Sequence, residues 1–341
     1  MSSFLPNVIV ARALKDVSTA SVKASNNLQS KVTKGLDRLY LFQHQDGGWG
    51  WWKDDKTDPF MTAYVVDGLQ LASGAGYPVR TYALQHGRRK IIELLDSGKT
   101  EQNKSIDLED KAYLVYALVT SKETDPKYLN ELYSRRSQLQ PYGKALTALA
   151  LSTSGELVKA RELAADLEKT AIQNDFDAHW ESRRRPMLDF VVQNDVEATA
   201  NGIRAISQLT PQSPLLPKLV RWLVANRSRG YYWETTKDTA FAIFGLSDFL
   251  KVSKELQPDY SLEVYLNGEK VIEKRVTASE AAAGQTFTLE RKGQSAGNAN
   301  SVRVVKKGRG ALYFGSTLDY FTSEEKIAGK GNAELSLTRE Y

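Results

Sequence analysis

Apolar positions recur at helical spacing along most of the first 255 residues. Residues 26–43 set the pattern, with Leu28, Val32, Leu36, Leu39 and Tyr40 falling on one face of a helix. Read the same way, the chain is predicted to form about eleven helices. A short apolar one surrounds Val8, Ile9 and Val10, and a third runs to about Ser73. The others cover 80–97, 108–122, 126–139, 142–153, 156–173, 195–209, 215–227 and 237–253. The period changes at Gln257-Pro258. Residues 260–266 alternate apolar and polar, Asn267-Gly268 is a hairpin-turn pair, and 270–276 alternate again. Residues 278–285 break the alternation, and further strands are predicted over 286–289, 301–305, 311–321 and 333–339. The chain therefore divides into a helical region, 1–255, and a β region, 256–341.

Alternate helices share a second pattern: an alanine, then four residues, a small residue and an aliphatic one. It occurs as Ala63…Gly68-Leu69, Ala112…Ala117-Leu118, Ala145…Ala150-Leu151, Ala200…Ala205-Ile206 and Ala240…Gly245-Leu246, with Val8…Ala13-Leu14 as a looser sixth. Successive copies lie 33 to 55 residues apart, room for one helix out and one back. Four begin near Asp58, Asp110, Asp195 or Asp238, where a negative charge suits the positive end of a helix. The intervening helices are more charged, 157–169 for example. Apolar, small-faced helices alternating with amphipathic ones make an inner ring wrapped by an outer ring. The expected fold is an α/α toroid of about six hairpins followed by an antiparallel β domain. An open HEAT-like solenoid is the alternative, but its repeats are more even in length.

One loop stands out. Residues 43–63 carry Trp49, Trp51 and Trp52 among three glycines, and close on Asp58-Pro59, a capping acid followed by a proline at the first helical position. Glycine lets backbone pass close to large rings, and each indole carries an N–H to satisfy. The loop is expected to be a packed aromatic plug between two helices, with at least two of its tryptophans largely buried.

The bulk composition, 41% hydrophobic and 26% charged, is that of a globular protein. A net charge of +5 and short basic clusters (Arg88-Arg89-Lys90, Arg183-Arg184-Arg185, Lys306-Lys307) read as solvated faces, so no nucleic-acid partner is implied. There is no apolar run long enough to span a bilayer and no signal-like start. The 341 residues include no cysteine, which removes disulfides, thiolate metal sites and a cysteine nucleophile from this chain. His44, His86 and His179 have no partner at ligand spacing, and no Ser-elbow, phosphate loop or dinucleotide fingerprint occurs. Asp54, Asp55 and Asp58 beside the tryptophans serve capping and solubility. No catalytic residue, cofactor or metal is assigned.

Gln45-Asp46-Gly47-Gly48-Trp49 resembles the Gln-to-Trp motif of terpene cyclases, which share the toroid. Those enzymes repeat the motif and add an aspartate-rich D-x-D-D, whereas here there is one copy and no acid motif. Protein prenyltransferase β subunits are similar in fold, but their zinc needs a cysteine. A toroid enzyme of this kind, or a helical-repeat interaction scaffold, remains the alternative function.

The wider resemblance is to the thioester domain and following β domain of alpha-2-macroglobulins, the bacterial ones in particular. Met1-Ser2-Ser3-Phe4-Leu5-Pro6-Asn7-Val8 resembles the segment after the family's Cys-x-Glu-Gln-Thr. Gly47-Gly48-Trp49-Gly50-Trp51-Trp52 with Asp58-Pro59-Phe60-Met61-Thr62-Ala63 resembles its next helix entry. Thr236-Lys237-Asp238-Thr239-Ala240 resembles the start of its last toroid helix, and Gly310-Ala311-Leu312-Tyr313-Phe314 a strand of its CUB-like domain. The resemblance implies a fragment of a broad-spectrum endopeptidase inhibitor that traps proteases, not an enzyme. Residues 1–255 would be the toroid, truncated at its N-terminus, and 256–341 the C-terminal part of the CUB-like domain. Its partners would be target proteases and the other macroglobulin domains, in the periplasm or outside the cell. The internal thioester would lie just before Met1. The resemblance makes Trp49, Trp51 and Trp52 candidates for shielding it. The directing histidine of complement relatives has no counterpart over 101–109, which implies amine targets.

Overall fold

The computed structural model describes residues 1, 4–17, 22–123, 125–182, 195–228, 232–253, 255, 257–282, 288–290, 300–312 and 314. They form two compact units, Met1–Lys254 and Glu255–Tyr341.

In the first unit eleven α-helices follow one another: α1 (Leu5–Val17), α2 (Val22–Leu41), α3 (Pro59–Gly74), α4 (Thr81–Ser97), α5 (Leu108–Thr120), α6 (Pro126–Ser134), α7 (Pro141–Thr153), α8 (Leu157–Thr170), α9 (Asp195–Leu209), α10 (Leu215–Ala225) and α11 (Thr236–Ser253). Their starts are chemically marked. Asp58 accepts the Met61 N–H at 2.8 Å ahead of Pro59, and Asp125 accepts that of Lys127 ahead of Pro126. The cap of α5 is Asp107, which accepts from the Asp110 N–H at 2.7 Å. Asp110 itself lies inside the first turn, where its charge meets the positive end of the helix as expected.

The odd-numbered helices close a ring. α3 packs on α5, α5 on α7, α7 on α9, α9 on α11, and α1 completes the circle by touching both α11 and α3. Each even-numbered helix lies outside the pair it connects: α2 on α1 and α3, α4 on α3 and α5, α6 on α5 and α7, α8 on α7 and α9, α10 on α9 and α11. This is the expected α/α toroid rather than an open solenoid, since the first and last inner helices meet.

The repeated small residues are the reason the ring can close. Ala63, Ala112, Ala145, Ala200 and Ala240 are wholly buried. Gly245 on α11 comes so close to α9 that a Cβ there would lie 2.8 Å from the Ala200 carbonyl oxygen. On the other flank Phe4 wedges between two glycines, 2.8 Å from a Cβ position at Gly35 of α2 and 3.2 Å from one at Gly68 of α3. Phe4 and, in α1, Leu5, Val8 and Ile9 make the core, while Ala13 is only partly buried, so the looser sixth repeat holds at Val8 and not at Ala13. Between α8 and α9 the structure adds a two-residue hairpin, β1 (Ile172–Gln173) with β2 (Ala178–His179), turned by Asn174, whose side chain takes the N–H groups of Phe176 and Asp177.

The second unit is a three-stranded antiparallel sheet in the order β4-β3-β5. β3 (Asp259–Leu266) and β4 (Glu269–Thr277) are joined through Asn267 and Gly268, both at positive φ as a primed turn requires. β5 (Val302–Arg309) runs four residues beyond its predicted end and pairs along all of β3. Residues 278–282, expected only as a break, form the short helix α12. Residues 288 and 289 are irregular, as are 311, 312 and 314, so the strands expected there are not formed at those positions. The strand expected over 333–339 lies outside the described residues.

Gly245→Val is expected to lower unfolding free energy by about 1–3 kcal/mol, because the new side chain must push α9 and α11 apart. Gly74→Ala, whose Cβ meets nothing, should leave stability level or raise it by up to about 1 kcal/mol. Urea denaturation of both variants checks the pair; equal effects would contradict a glycine requirement at the α9–α11 contact.

Candidate functional site at the two mouths of the ring

The tryptophan loop is built by its own polar groups. Asp46 accepts from the Gly48 N–H and the Thr57 hydroxyl, both at 3.0 Å, and pairs with Lys90 of α4 at 2.9 Å. Partial burial acts against its charge, but hydrogen bonds from Lys90, Gly48 and Thr57 hold Asp46 at a pKa of about 2. Asp55 accepts the N–H groups of Trp51 (2.8 Å) and Trp52 (3.0 Å), making a tight turn that Gly50 permits, since a Cβ there would collide with the same carboxylate. That turn corrects the expectation for the tryptophans. Trp49 is fully buried, Trp51 is half-buried, and Trp52 is thrown outward, 74% exposed.

Trp49 closes the end of α2. Its indole N–H donates to the Leu39 carbonyl at 2.9 Å and its backbone N–H donates to Thr62 of α3 at 3.1 Å. The same arrangement recurs twice in loops where the sequence showed no Gln-to-Trp motif. Trp180 donates to Leu167 at the end of α8 and its N–H to Thr199 of α9; Trp233 donates to Leu223 at the end of α10 and its N–H to Thr239 of α11. In each case the threonine immediately precedes the repeat alanine. Where no tryptophan caps the outer helix, that position is lysine: Lys111 pairs with Glu131 of α6 and Lys144 with Asp166 of α8.

The bore is lined by a stripe on each inner helix. Three residues before the repeat alanine stand Phe60, Glu109, Tyr142, Glu197 and Lys237. These lie at the mouth formed by the helix N-termini, above an aromatic cluster. Phe60 sits 5.6 Å from Tyr64 and 5.2 Å from Tyr113, Tyr113 is 6.4 Å from Tyr142, and Tyr64 stacks on Phe241 at 6.1 Å. Burial pushes the Tyr64 and Tyr113 phenols well above their usual range, so they are neutral at physiological pH. Glu197 is wholly buried. One carboxylate oxygen accepts from Lys237 Nζ at 2.7 Å, and the other has no hydrogen-bond partner among the described residues. Glu109 accepts from the N–H groups of Gln140 and Gly143 at 2.8 Å each, fixing the start of α7. Burial raises the Asp238 carboxyl, whose acceptor oxygen takes the Thr235 hydroxyl at 2.7 Å.

At the opposite mouth the helix C-termini surround a cavity of about 630 Å³. Four residues after the repeat alanine come Asp67, Tyr116, Leu149, Arg204 and Phe244; all but Phe244 line the cavity. Arg204 is buried and held by the Tyr116 hydroxyl (2.6 Å), the Asn201 side chain (2.9 Å) and Asp248 (3.4 Å), with its guanidinium 3.6 Å over the Phe244 ring. Burial pushes the Tyr116 phenol up to about 12 and the Asp67 carboxyl up to about 6, the latter against the pull of Arg204 and Arg12.

Among the described residues no group of three or more His, Cys, Asp or Glu could hold a metal ion, and no helix is long and apolar enough to cross a membrane. Each histidine packs against a neighbour: His44 lies 2.9 Å from Thr57, the His86 ring is tilted against Tyr82, and His179 stacks flat on Trp222 at 4.6 Å.

A closed ring of parallel inner helices with an aromatic floor at one mouth defines a class of toroid that includes thioester domains. A family model described as the A-macroglobulin TED domain matches residues 1–86 and 114–249, and the chain belongs to that family. The alpha-2-macroglobulin of Thermotoga maritima is 28% identical over 298 residues, covering 86% of this chain and 16% of the relative. That of Escherichia coli is 28% identical over 156 residues, 43% of this chain and 9% of its own length. Ovostatin of Gallus gallus is 21% identical over 283 residues, 73% of this chain and 19% of the relative. The chain thus spans less than a fifth of these curated relatives. The solved structure of Escherichia coli alpha-2-macroglobulin activated by porcine elastase superposes with a TM-score of 0.57 at 18% identity, over 82% of this chain and 25% of that one. Salmonella alpha-2-macroglobulin reacted with methylamine gives 0.58 at 18% identity, over 82% and 18%. The likeness to these structures establishes the fold.

The Asp67 carboxyl yields a pH test. Its folded pKa of about 6 lies above the ordinary value near ~3.9, so the stability tied to its protonation is full below pH ~4 and lost as pH rises through 6. Asp67→Asn, neutral throughout, is expected to gain on the native chain by roughly 1–3 kcal/mol between pH 4 and 7.5. Urea unfolding across that range checks it, and a pH-independent difference would contradict the raised carboxyl.

Proposed function

We propose that this chain is the toroid and part of the adjoining β domain of a broad-spectrum endopeptidase inhibitor that works by entrapment. The match of the A-macroglobulin TED model across the closed ring carries this reading. The whole protein captures its target proteases together with its other macroglobulin domains, in the periplasm or outside the cell. The second unit, with its antiparallel sheet, is the C-terminal part of a CUB-like domain. The chain itself is an inhibitor fragment and not an enzyme.

Capture needs an electrophile. A thioester supplies it when a cysteine sulfur is bonded to the acyl carbon of a glutamine side chain; an amine attacks that carbon and the thiolate leaves. This chain has no cysteine, so we place the thioester on a segment preceding Met1, at the N-terminal mouth. Phe60, Tyr113 and Tyr142 give that mouth a buried aromatic floor, which suits a bond that must be kept from water. Trp49 fixes the neighbouring loop from beneath, and Trp51 and Trp52 stand on its surface as the shielding candidates.

Intact mass spectrometry tests the reading. The 341-residue chain incubated with trypsin or with methylamine should gain no covalent adduct. The chain extended at its N-terminus by a Cys-x-Glu-Gln-Thr segment should take up one methylamine and expose one thiol. An adduct on the unextended chain, or an extended chain that never acquires methylamine-reactive mass, would overturn the proposal. Pyrophosphate release from a polyprenyl diphosphate would favour the toroid-enzyme alternative instead. In the extended chain, Trp51→Ala is expected to speed thioester hydrolysis several-fold, read as thiol release over time; an unchanged rate would remove Trp51 from the shield.

A further inference from the structure

The cavity at the C-terminal mouth takes no part in thioester chemistry, which the proposal above places at the other end of the ring. Its polar groups are unequally satisfied. Arg204 spends its guanidinium on Tyr116, Asn201 and Asp248. Arg12, which lines the same cavity from α1, makes no hydrogen bond or ion pair among the described residues; its guanidinium rests 5.1 Å from the centre of the Phe244 ring. Asp67 is 1% exposed, yet its Oδ1 has no donor. Arg12 and Asp67 feel one another's charge but form no direct ion pair; both line the cavity, where Thr120 bonds the Asp67 carboxylate and leaves its Oδ1 without a donor. Ser207, also on the lining and 2% exposed, has a hydroxyl without a partner.

A buried acceptor left without a donor is costly, so this arrangement favours a ligand that completes it. A simple anion would satisfy Arg12 but meet the Asp67 carboxylate. A simple cation would satisfy Asp67 but meet Arg12 and Arg204. The chemistry that suits both carries an acceptor anion and an N–H donor side by side. An amino-acid carboxylate with its own α-nitrogen does so. The cavity's 630 Å³ falls in the range of about 300–1,000 Å³ typical of small-ligand sites. Leu71, Leu149 and Val252 give it an apolar wall for a side chain.

We propose that this cavity binds the carboxyl-terminal residue of a peptide, with the carboxylate on Arg12 and the N–H of the same residue on Asp67. Arg12 then gains a charge-assisted pair and Asp67 Oδ1 its missing donor. Within the first unit the cavity is partly open, which leaves the rest of the peptide a way out.

The 341-residue chain is titrated by fluorescence anisotropy with dansyl-Ala-Ala-Leu carrying a free carboxylate, with the same peptide as its C-terminal amide, and with free leucine as competitor. The free carboxylate is expected to bind saturably. The amide, and the free-acid peptide on Arg12→Gln, should each bind about tenfold or more weakly, the scale of a lost hydrogen bond to a charged group. Arg12 is only partly buried, and far-UV circular dichroism confirms that its variant is folded. Displacement of the peptide by equimolar leucine would support the site and assign it to the free amino acid as source; failure of leucine to displace it supports a peptide end. Equal binding of acid and amide, undiminished binding to the folded Arg12→Gln chain, or no saturable binding of any probe would overturn the proposal.

Discussion

Six helices can close into a ring only if their crossings are nearly free of side chains, and the rest of this fold follows from that constraint. At Gly245 the limit is reached: one carbon atom more would press on the backbone of α9. The wholly buried alanines of the other inner helices do the same work less severely. Bringing the inner helices together in this way packs the centre with aromatic rings from α3, α5, α7 and α11, and the outer helices wrap around them. Closing a ring through its first and last inner helices also joins segments far apart in sequence, so α1 and α11 stand or fall together.

A ring of this kind has two ends that differ in chemistry. At one, rings from α3, α5, α7 and α11 pack against each other beside a buried ion pair, Glu197 with Lys237. At the other, arginines and aspartates surround open space. Buried charges are tolerated only when paired or hydrogen-bonded, and Arg204 shows how fully that condition can be met. Asp67 and Glu197 each keep one oxygen outside any such bond, and these two exceptions mark the places where the ring is least complete by itself.

Much of this architecture was legible from the chain. The spacing of Ala63, Ala112, Ala145, Ala200 and Ala240 identified the inner helices, and helix boundaries fell within a few residues because caps such as Asp58-Pro59 are local signals. The repeat frame also held information that small and aliphatic residues alone did not reveal. Counting three back or four forward from each alanine finds both mouths, but the residues there (Phe60, Glu109, Lys237; Asp67, Leu149, Arg204) differ in kind from helix to helix. A pattern sought by residue type passes over them. The threonine of each tryptophan cap was hidden for another reason. Its distance from the tryptophan varies with the loop, so only the fold brings Trp180 to Thr199. Of the two or more tryptophans expected to be largely buried only Trp49 is, because Asp55 takes the N–H groups of Trp51 and Trp52 and turns that stretch outward, and hydrophobicity carries no sign of that.

The three capped tryptophans give the molecule its own optical report. Trp49, Trp180 and Trp233 sit in three separate sectors of the ring, each buried and each bonded to the last turn of an outer helix. Indole emission shifts to the blue in such surroundings and to the red in water. Trp52, already in solvent, emits alike in the folded and unfolded chain, and Trp222 is stacked on the His179 ring. Fluorescence from this chain therefore reads out three sectors of one wheel at once, and a loss of blue emission in steps rather than together would reveal sectors that come apart separately.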